Sequence, residues 1–397
     1  MANDHRWLFL VKAHRQNSRH TLFGVLVVFA VLVVTFAHAT APPPRTPVVI
    51  QMIPLPTSGN YANISLDQAL NVIYSSGYNS ASEAVQVMLI NGLNFTTTQP
   101  SGVISQEVGV NPLTDEFWTA SVYNGLNIYS GMPPYPLEQT LSLSLGGCPI
   151  SAQYDFLYNR MWVVAQCGNP SGSDPVYAFN ATTHAPEAAF KTGYINGGGL
   201  LNSANGILYV GTASPAPPGL CLRYDPKNFK PDLPPTWFTN GCPWAPDPVH
   251  NLLYYVDNNG SCSAPNTTLY ILNGGNIKTS ETVEKTISLP YYANNVMDVN
   301  NAIQHLYTVG GCTQNGFVMD IRNSLTGAPI IQFPLDSSVT QIQNVVADAL
   351  RGRIYVVVLT TGAGPCGGQQ CLYILDDIST VGKAVPGTGG GTTGGHS

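Results

Sequence analysis

Seven times along this chain an aspartate or asparagine is followed, seven positions later, by an aromatic residue that opens an apolar, often β-branched run. The cleanest copy is Ala347–Val358, A-D-A-L-R-G-R-I-Y-V-V-V. The pairs are Asp67/Tyr74, Asn111/Trp118, Asp155/Trp162, Asn202/Tyr209, Asp247/Tyr254, Asn300/Tyr307 and Asp348/Tyr355. Successive aromatics lie 44, 44, 47, 45, 53 and 48 residues apart. A constant separation inside a variable period marks a repeat architecture, because each unit keeps its own turn while the loops between units change length.

Each unit reads as a β-hairpin. The short Asp or Asn side chain ends one strand and hydrogen-bonds into the turn. Three residues before the aromatic stands a turn former in six copies (Asn71, Asp115, Asn159, Gly206, Asn251, Gly352), with Gln304 the exception. A third strand recurs downstream, as in Val176–Asn180, Leu269–Asn273 and Leu372–Asp376, with shorter copies at Val87–Asn91 and Cys221–Asp225. Runs such as Ile354–Val358 suit a sheet covered on both faces. Four strands in roughly 45 residues, repeated radially, build an all-β, seven-bladed β-propeller, with the seven aromatics as the repeat core.

The D-x-x-x-x-x-x-Y-V spacing resembles the YVTN/NHL-like repeat family of β-propellers over about residues 47–376. The resemblance implies the fold and leaves function open, since such propellers carry unrelated activities: binding modules, lactonase-like hydrolases with a central metal, and quinoprotein dehydrogenase-type subunits.

Pro47–Pro56, P-V-V-I-Q-M-I-P-L-P, comes too early for the first repeat and is similar to Pro329–Leu335, P-I-I-Q-F-P-L, an outer strand. The seventh repeat lacks a good fourth strand. Val48–Ile53 is therefore expected to complete that blade, closing the ring and removing free sheet edges. Residues 1–39 read as a signal peptide or a type II signal anchor. Arg6, Lys12, Arg15 and Arg19 precede the apolar run Leu22–Ala37 and the A-x-A pattern Ala37-His38-Ala39. Either reading exports the chain from residue 40 onward, in a secreted or a membrane-anchored form. Residues 40–46 form a Pro-rich spacer, 47–377 the propeller and 378–397 a Gly/Thr-rich flexible tail.

From residue 40 onward 12 basic residues stand against 21 acidic ones, and no Lys or Arg occurs between Thr46 and Asn159. Nucleic acid is excluded as a partner, because its phosphates need basic side chains to displace their counterions. Blades one and two hold Asp67, Glu83, Glu107, Asp115, Glu116 and Glu138 without a balancing cation, which predicts an acidic sector attractive to a basic partner.

Eight cysteines behind an export signal predict disulfides. Strand positions of the third hairpin that sum to 315 face each other, which pairs Cys148 with Cys167. Cys221 with Cys242 and Cys366 with Cys371 follow from their loop positions, leaving Cys262 with Cys312. Of five N-x-[ST] sequons, Asn259 and Asn266 are the best placed for a glycan.

Chemistry-bearing patterns are few. Gly362-x-Gly364-x-x-Gly367 matches a dinucleotide fingerprint only in letters, for it contains Pro365 and leads into a strand rather than a helix. His184, His250 and His305 have no zinc-ligand spacing, and there is no G-x-S-x-G elbow. Oxygen-bearing side chains do cluster near the inner strands: Glu107, Gln153, Asn196, Asn295 and Asn344. Of these Glu107, Asn295 and Asn344 are candidate ligands for Ca²⁺ in a lactonase-like alternative. The main expectation is a non-catalytic binding or scaffold module without a cofactor. It meets a protein or glycan on its loop-rich face and a membrane only through its N-terminal segment.

Overall fold

The computed structural model describes residues 46–57, 59–78, 85–121, 125–166, 173–194, 196–212, 220–232, 242–258, 261–276, 278–312 and 316–377. The chain separates into two units, Met1–Pro44 and Arg45–Ser397, and every described residue belongs to the second. The Leu22–Ala37 run, the tail after Asp377, Glu83, Cys167 and Asn259 lie outside the described residues.

Seven four-stranded antiparallel sheets are present among the described residues, with a two-stranded ribbon of Val85–Gln86 and Ile104–Ser105 beside the first. The innermost strands are Asn60–Asp67, Glu107–Asn111, Cys148–Asp155, Asn196–Asn202, Ala245–Asp247, Ala293–Asn300 and Val339–Asp348. The seventh blade continues with Arg353–Thr360 and Gln370–Asp376, and its outer strand is Val48–Pro54. That strand runs antiparallel to Gln370–Asp376, from Val48 opposite Asp376 to Pro54 opposite Cys371. The ring is closed by its own N-terminal strand, and the fold is an all-β seven-bladed propeller.

The repeat explains itself locally. All seven positions three residues before the aromatic have positive φ: Asn71, Asp115, Asn159, Gly206, Asn251, Gln304 and Gly352, between 49° and 74°. Gly and Asn tolerate this conformation; Gln304 adopts it at a steric cost. The Asp or Asn four residues earlier caps the same turn. Asp67 Oδ1 accepts from the amides of Ala69 and Leu70, Asp247 Oδ1 from Val249 and His250, and Asn300 Oδ1 from Ala302.

The seven repeat aromatics, Tyr74, Trp118, Trp162, Tyr209, Tyr254, Tyr307 and Tyr355, are all fully buried. They are not interchangeable. Tyr254 OH donates to Ser324 O and Tyr307 OH to Asp377 Oδ2, so these copies tie blades together through a polar tip. The two tryptophans use ring contacts to reach the next blade instead. Trp118 of blade two stands edge-on to His184 of blade three, with ring centroids 5.4 Å apart. Trp162 of blade three meets Phe229 of blade four at 5.7 Å and lies under the Arg160 guanidinium at 5.3 Å. A wider ring with no hydroxyl trades a hydrogen bond for stacking and cation–π contact.

Second and third strands such as Arg353–Thr360 and Gln370–Asp376 carry long apolar runs because neighbouring blades cover both faces. Tyr355, Val357, Leu372 and Ile374 of blade seven pack with Tyr61, Ile64, Ile73 and Ile90 of blade one across the closing seam. His305 opens the strand His305–Cys312, where it is buried against Asp377.

Candidate functional site

Two regions of the ring hold the candidate functional side chains: the channel wall and the face formed by the second-to-third-strand loops and the blade connections. In the channel, inner strands are stapled to their neighbours at two levels. At the upper level Asn344 Nδ2 donates to Ala62 O, Asn63 Nδ2 donates to Gln106 O, and Ser151 Oγ donates to Glu107 Oε1 at 2.9 Å. At the lower level Ser65 Oγ donates to Val108 O, Gln153 Nε2 donates to Gly199 O, and Ala347 N donates to Asp298 Oδ2. Each bond crosses from one blade to the next, so these groups satisfy inner-strand polar atoms that a free channel edge would leave open.

Of the residues picked out for Ca²⁺, Glu107 and Asn344 stand at the same level, in blades two and seven, with Asn63 of blade one between them. Both are engaged in staples. Asn295 lies in the strand Ala293–Asn300, and its side chain is outside the described residues. Asn196 is buried away from the channel, donating to Ala165 O and Pro175 O. Among the described residues no three His, Cys, Asp or Glu side chains gather as a metal-binding group. Trp118, Trp162 and the five repeat tyrosines sit between blades, away from both functional regions, as packing residues with no ligand-facing surface. Burial pushes the Glu107 carboxyl up to about 7, against a smaller lowering by the bonds from Ser151 and Gln153. Burial likewise raises Asp298 to about 6. Asp298 escapes the sequence reading, and its position two residues before Asn300 is the signal that could have found it.

Among the described residues the loop face holds three neighbouring open cavities, of about 480, 470 and 570 Å³. The first, between blades five, six and seven, is lined by Tyr292, Asn294, Gln341 and Gln343 among others. The second, at the closing seam, shares Gln343 and adds Asn60, Gln369 and Gln370. The third shares Pro56, Thr57 and Gln369 with the second and adds Thr97 and Gln99. Sharing these walls, the three adjoin in a row, a shallow trough over the blade-seven mouth. Among the described residues, no Asp, Glu, Lys, Arg or His lines any of the three. At its centre three amides interlock: Gln343 Nε2 donates to Asn60 Oδ1 at 3.0 Å, and Gln370 Nε2 donates to both Asn60 Oδ1 and Gln343 Oε1. Gln370 Oε1 accepts from Tyr61 N at 2.7 Å.

The structure pairs Cys221 with Cys242, Cys262 with Cys312 and Cys366 with Cys371, at Cα separations of 5.0, 6.1 and 5.9 Å. The second pair lines the first cavity and ties blade five to blade six, while the third closes the loop that supplies Gln369 to the trough wall. Such bridges fit an oxidising, extracellular or lumenal compartment. Cys148 departs from its expected register. A bulge between Pro149 and Ser151 shifts the ladder by one, so Cys148 faces Gln166 instead of Cys167. Cys148 is nevertheless disulfide-bonded. Asn266 is exposed, as a glycan acceptor must be.

Of the six acids of the expected acidic sector, Glu83 lies outside the described residues, Glu138 is exposed, and the other four stand elsewhere than on the loop face. Asp67 is buried and spends its charge on turn amides. Glu116 is buried against His184 Nε2 at 3.1 Å, and Glu107 lies in the channel. Asp67, Asp115 and Glu116 belong to first-to-second-strand turns, on the face opposite the cysteines. Asp67, Asp115 and Glu116 therefore add no field to the loop face, whereas Glu138 is exposed on the strand Leu137–Leu141.

Comparison with known proteins agrees with this picture at the level of fold. No protein-family model matches the chain, and no curated protein matches it. Among solved structures, a chain described as "Crystal Structure of Mitotic Checkpoint Complex" is similar at 11% identity with a TM-score of 0.57, over 85% of this chain and 96% of that one. Matches extend to 1292 solved chains, so the likeness selects a widely used architecture and no single function.

Proposed function

We propose that this chain is an exported β-propeller of the YVTN/NHL-like kind, acting as a binding or scaffold module that takes a protein or glycan on its loop-rich face. The observation that carries the reading is the row of three adjoining depressions on that face, walled in part by disulfide-closed loops. Loops on such a scaffold can vary without unfolding it, and concave sites of this size, with a few polar groups set among apolar walls, are where ligands are held. The basic segment, apolar run and A-x-A site of residues 1–39 support export, as a secreted or type II membrane-anchored protein. The similar solved chain comes from a complex, which is compatible with a protein partner.

The test is site-specific photo-crosslinking of the full chain on the cells that produce it. A crosslinker at Gln341, exposed beside the trough, should yield adducts. One at Leu350, exposed in a turn of the opposite face, should yield none. Equal labelling at both positions rejects the reading.

A second reading, a lactonase-like hydrolase with Ca²⁺ at the channel mouth, draws on the level shared by Glu107 and Asn344. Calorimetry with Ca²⁺ decides it. Tight binding to the unmodified chain that disappears in Asn344→Ala, together with turnover of a lactone or ester, would replace the binding reading.

A further inference from the structure

We infer that the trough across blades five, six, seven and one is a subsite for a neutral oligosaccharide chain. This rests on the proposed loop-face binding and names its ligand class. The first ground is charge. Three contiguous cavities with no ionisable carboxylate, amine, guanidinium or imidazole in their described walls cannot compensate a charged ligand that gives up its water there.

The second ground is the donor and acceptor inventory. An amide side chain offers two N–H donors and a carbonyl acceptor in one plane, which matches sugar hydroxyls that both give and take. Asn60, Gln343 and Gln370 hold each other in fixed orientation, so their remaining capacity is presented without an ordering cost. Around them Asn294, Gln341 and Gln369 have no side-chain hydrogen bond among the described residues, and neither does the Tyr292 hydroxyl. Tyr292 is half-buried, a ring with an apolar body and a polar tip beside the amides.

The third ground separates a sugar from a protein. Protein interfaces concentrate their energy in Trp, Tyr and Arg anchors. This trough has Tyr292 alone of those types along its described wall, and sets its amides among apolar side chains such as Leu55, Met88, Phe317 and Leu359. That distribution suits a repeating chain in which each residue makes a few similar bonds. The disulfide Cys366–Cys371 holds the loop carrying Gln369, keeping the wall in place before ligand arrives.

The experiment probes the full chain with immobilised cello-, chito-, manno- and laminari-hexaose, with heparan sulfate and polysialic acid, and with a displayed random-peptide library. The expected result is retention of at least one neutral hexaose and of neither acidic polymer. Gln341→Ala and Tyr292→Ala should each weaken that binding tenfold or more with unchanged melting, while Leu350→Ala leaves it intact. Because Gln341 is exposed, its variant keeps the test valid should Tyr292→Ala unfold. Retention of acidic polymers alone, or of no neutral hexaose at millimolar concentration, overturns the proposal. Peptides captured instead, and lost in Gln341→Ala, overturn the sugar while leaving loop-face binding standing. Ligands insensitive to every trough substitution remove both.

Discussion

Glu107 shows how one residue's surroundings set its chemistry. Burial in the channel raises its carboxyl from an ordinary 4.5 to about 7, so the folded state holds a proton that the unfolded chain has already released. A raised carboxyl makes stability fall as pH climbs, from the unfolded value near 4.5 until the folded value near 7 is passed. Asp298, raised to about 6, acts in the same sense. Glu107→Gln should therefore flatten the decline between pH 5 and 8 and stabilise the protein at pH 8 by on the order of 2 kcal/mol. Urea unfolding at several pH values reads this, and an unchanged profile would contradict it. Turn residues give a second test at this scale. Gln304 has a φ of 58°, so Gln304→Gly should stabilise by about 0.5 kcal/mol. Gly206 has a φ of 74°, and a Cβ there would stand 2.5 Å from the Tyr158 ring. Gly206→Ala should accordingly cost about 2 kcal/mol in the same assay.

Between elements, the seams are polar as well as apolar. Tyr307 OH and His305 Nδ1 of blade six both reach Asp377 Oδ2 at the end of blade seven, at 2.7 and 2.8 Å. Arg160 Nη1 of blade three donates to Pro226 O of blade four at 2.7 Å. The deepest case is Arg223 on blade four, 3.2 Å from Glu281 on blade five, with Tyr209 OH donating to the same carboxylate. Removing one member leaves a buried charge without its counterpart. Glu281→Leu should cost about 3–5 kcal/mol, and adding Arg223→Met should recover most of it. A double variant no more stable than the single would show that the pair is not coupled. The Cys262–Cys312 bridge joins the same ring at the next seam and closes a loop across 50 residues. Chain-entropy reasoning puts its contribution at about 4 kcal/mol, so Cys262→Ser should melt well below the parent.

At the scale of the molecule, closure matters most. Val48–Pro54 covers the edge of Gln370–Asp376, and Leu55 N adds a bond to Gln370 O at 2.9 Å. Without residues 47–56 that edge would present unpaired amides and carbonyls as a template for other chains. Deletion should convert a monodisperse protein into aggregates on size exclusion. A variant that stays monomeric with an unchanged melting temperature would mean that the closing strand contributes little. The same seam carries the centre of the trough, since Asn60 and Gln370 lie on either side of it, so closure and the proposed ligand site share their residues.

The blade count, the repeat core, the turn positions and the closing strand were all legible in the primary structure. Each depends on short-range rules: a constant Asp/Asn-to-aromatic distance, a capped turn, and apolar runs that only a covered sheet can bury. Even Gln304, the odd letter in its series, takes the backbone conformation its position demands. What the linear order could not show is which residues meet across blades. Trp118 and Trp162 read as equivalents of the repeat tyrosines, yet their neighbours His184 and Phe229 come from the next blade. Glu107 and Asn344 read as free oxygen ligands in isolation, yet in the ring they are staples to Ser151 and Ala62. A bulge at Ile150 moved Cys148 by one position in its ladder, and Asp67 and Glu116 of the apparent acidic sector are buried. The trough draws Asn60, Asn294, Gln341 and Gln370 from three blades and more than 300 positions of chain, with no local pattern to join them. Short-range stereochemistry writes a repeat into the chain, whereas a site at the mouth of a ring exists only after closure brings distant strand ends together.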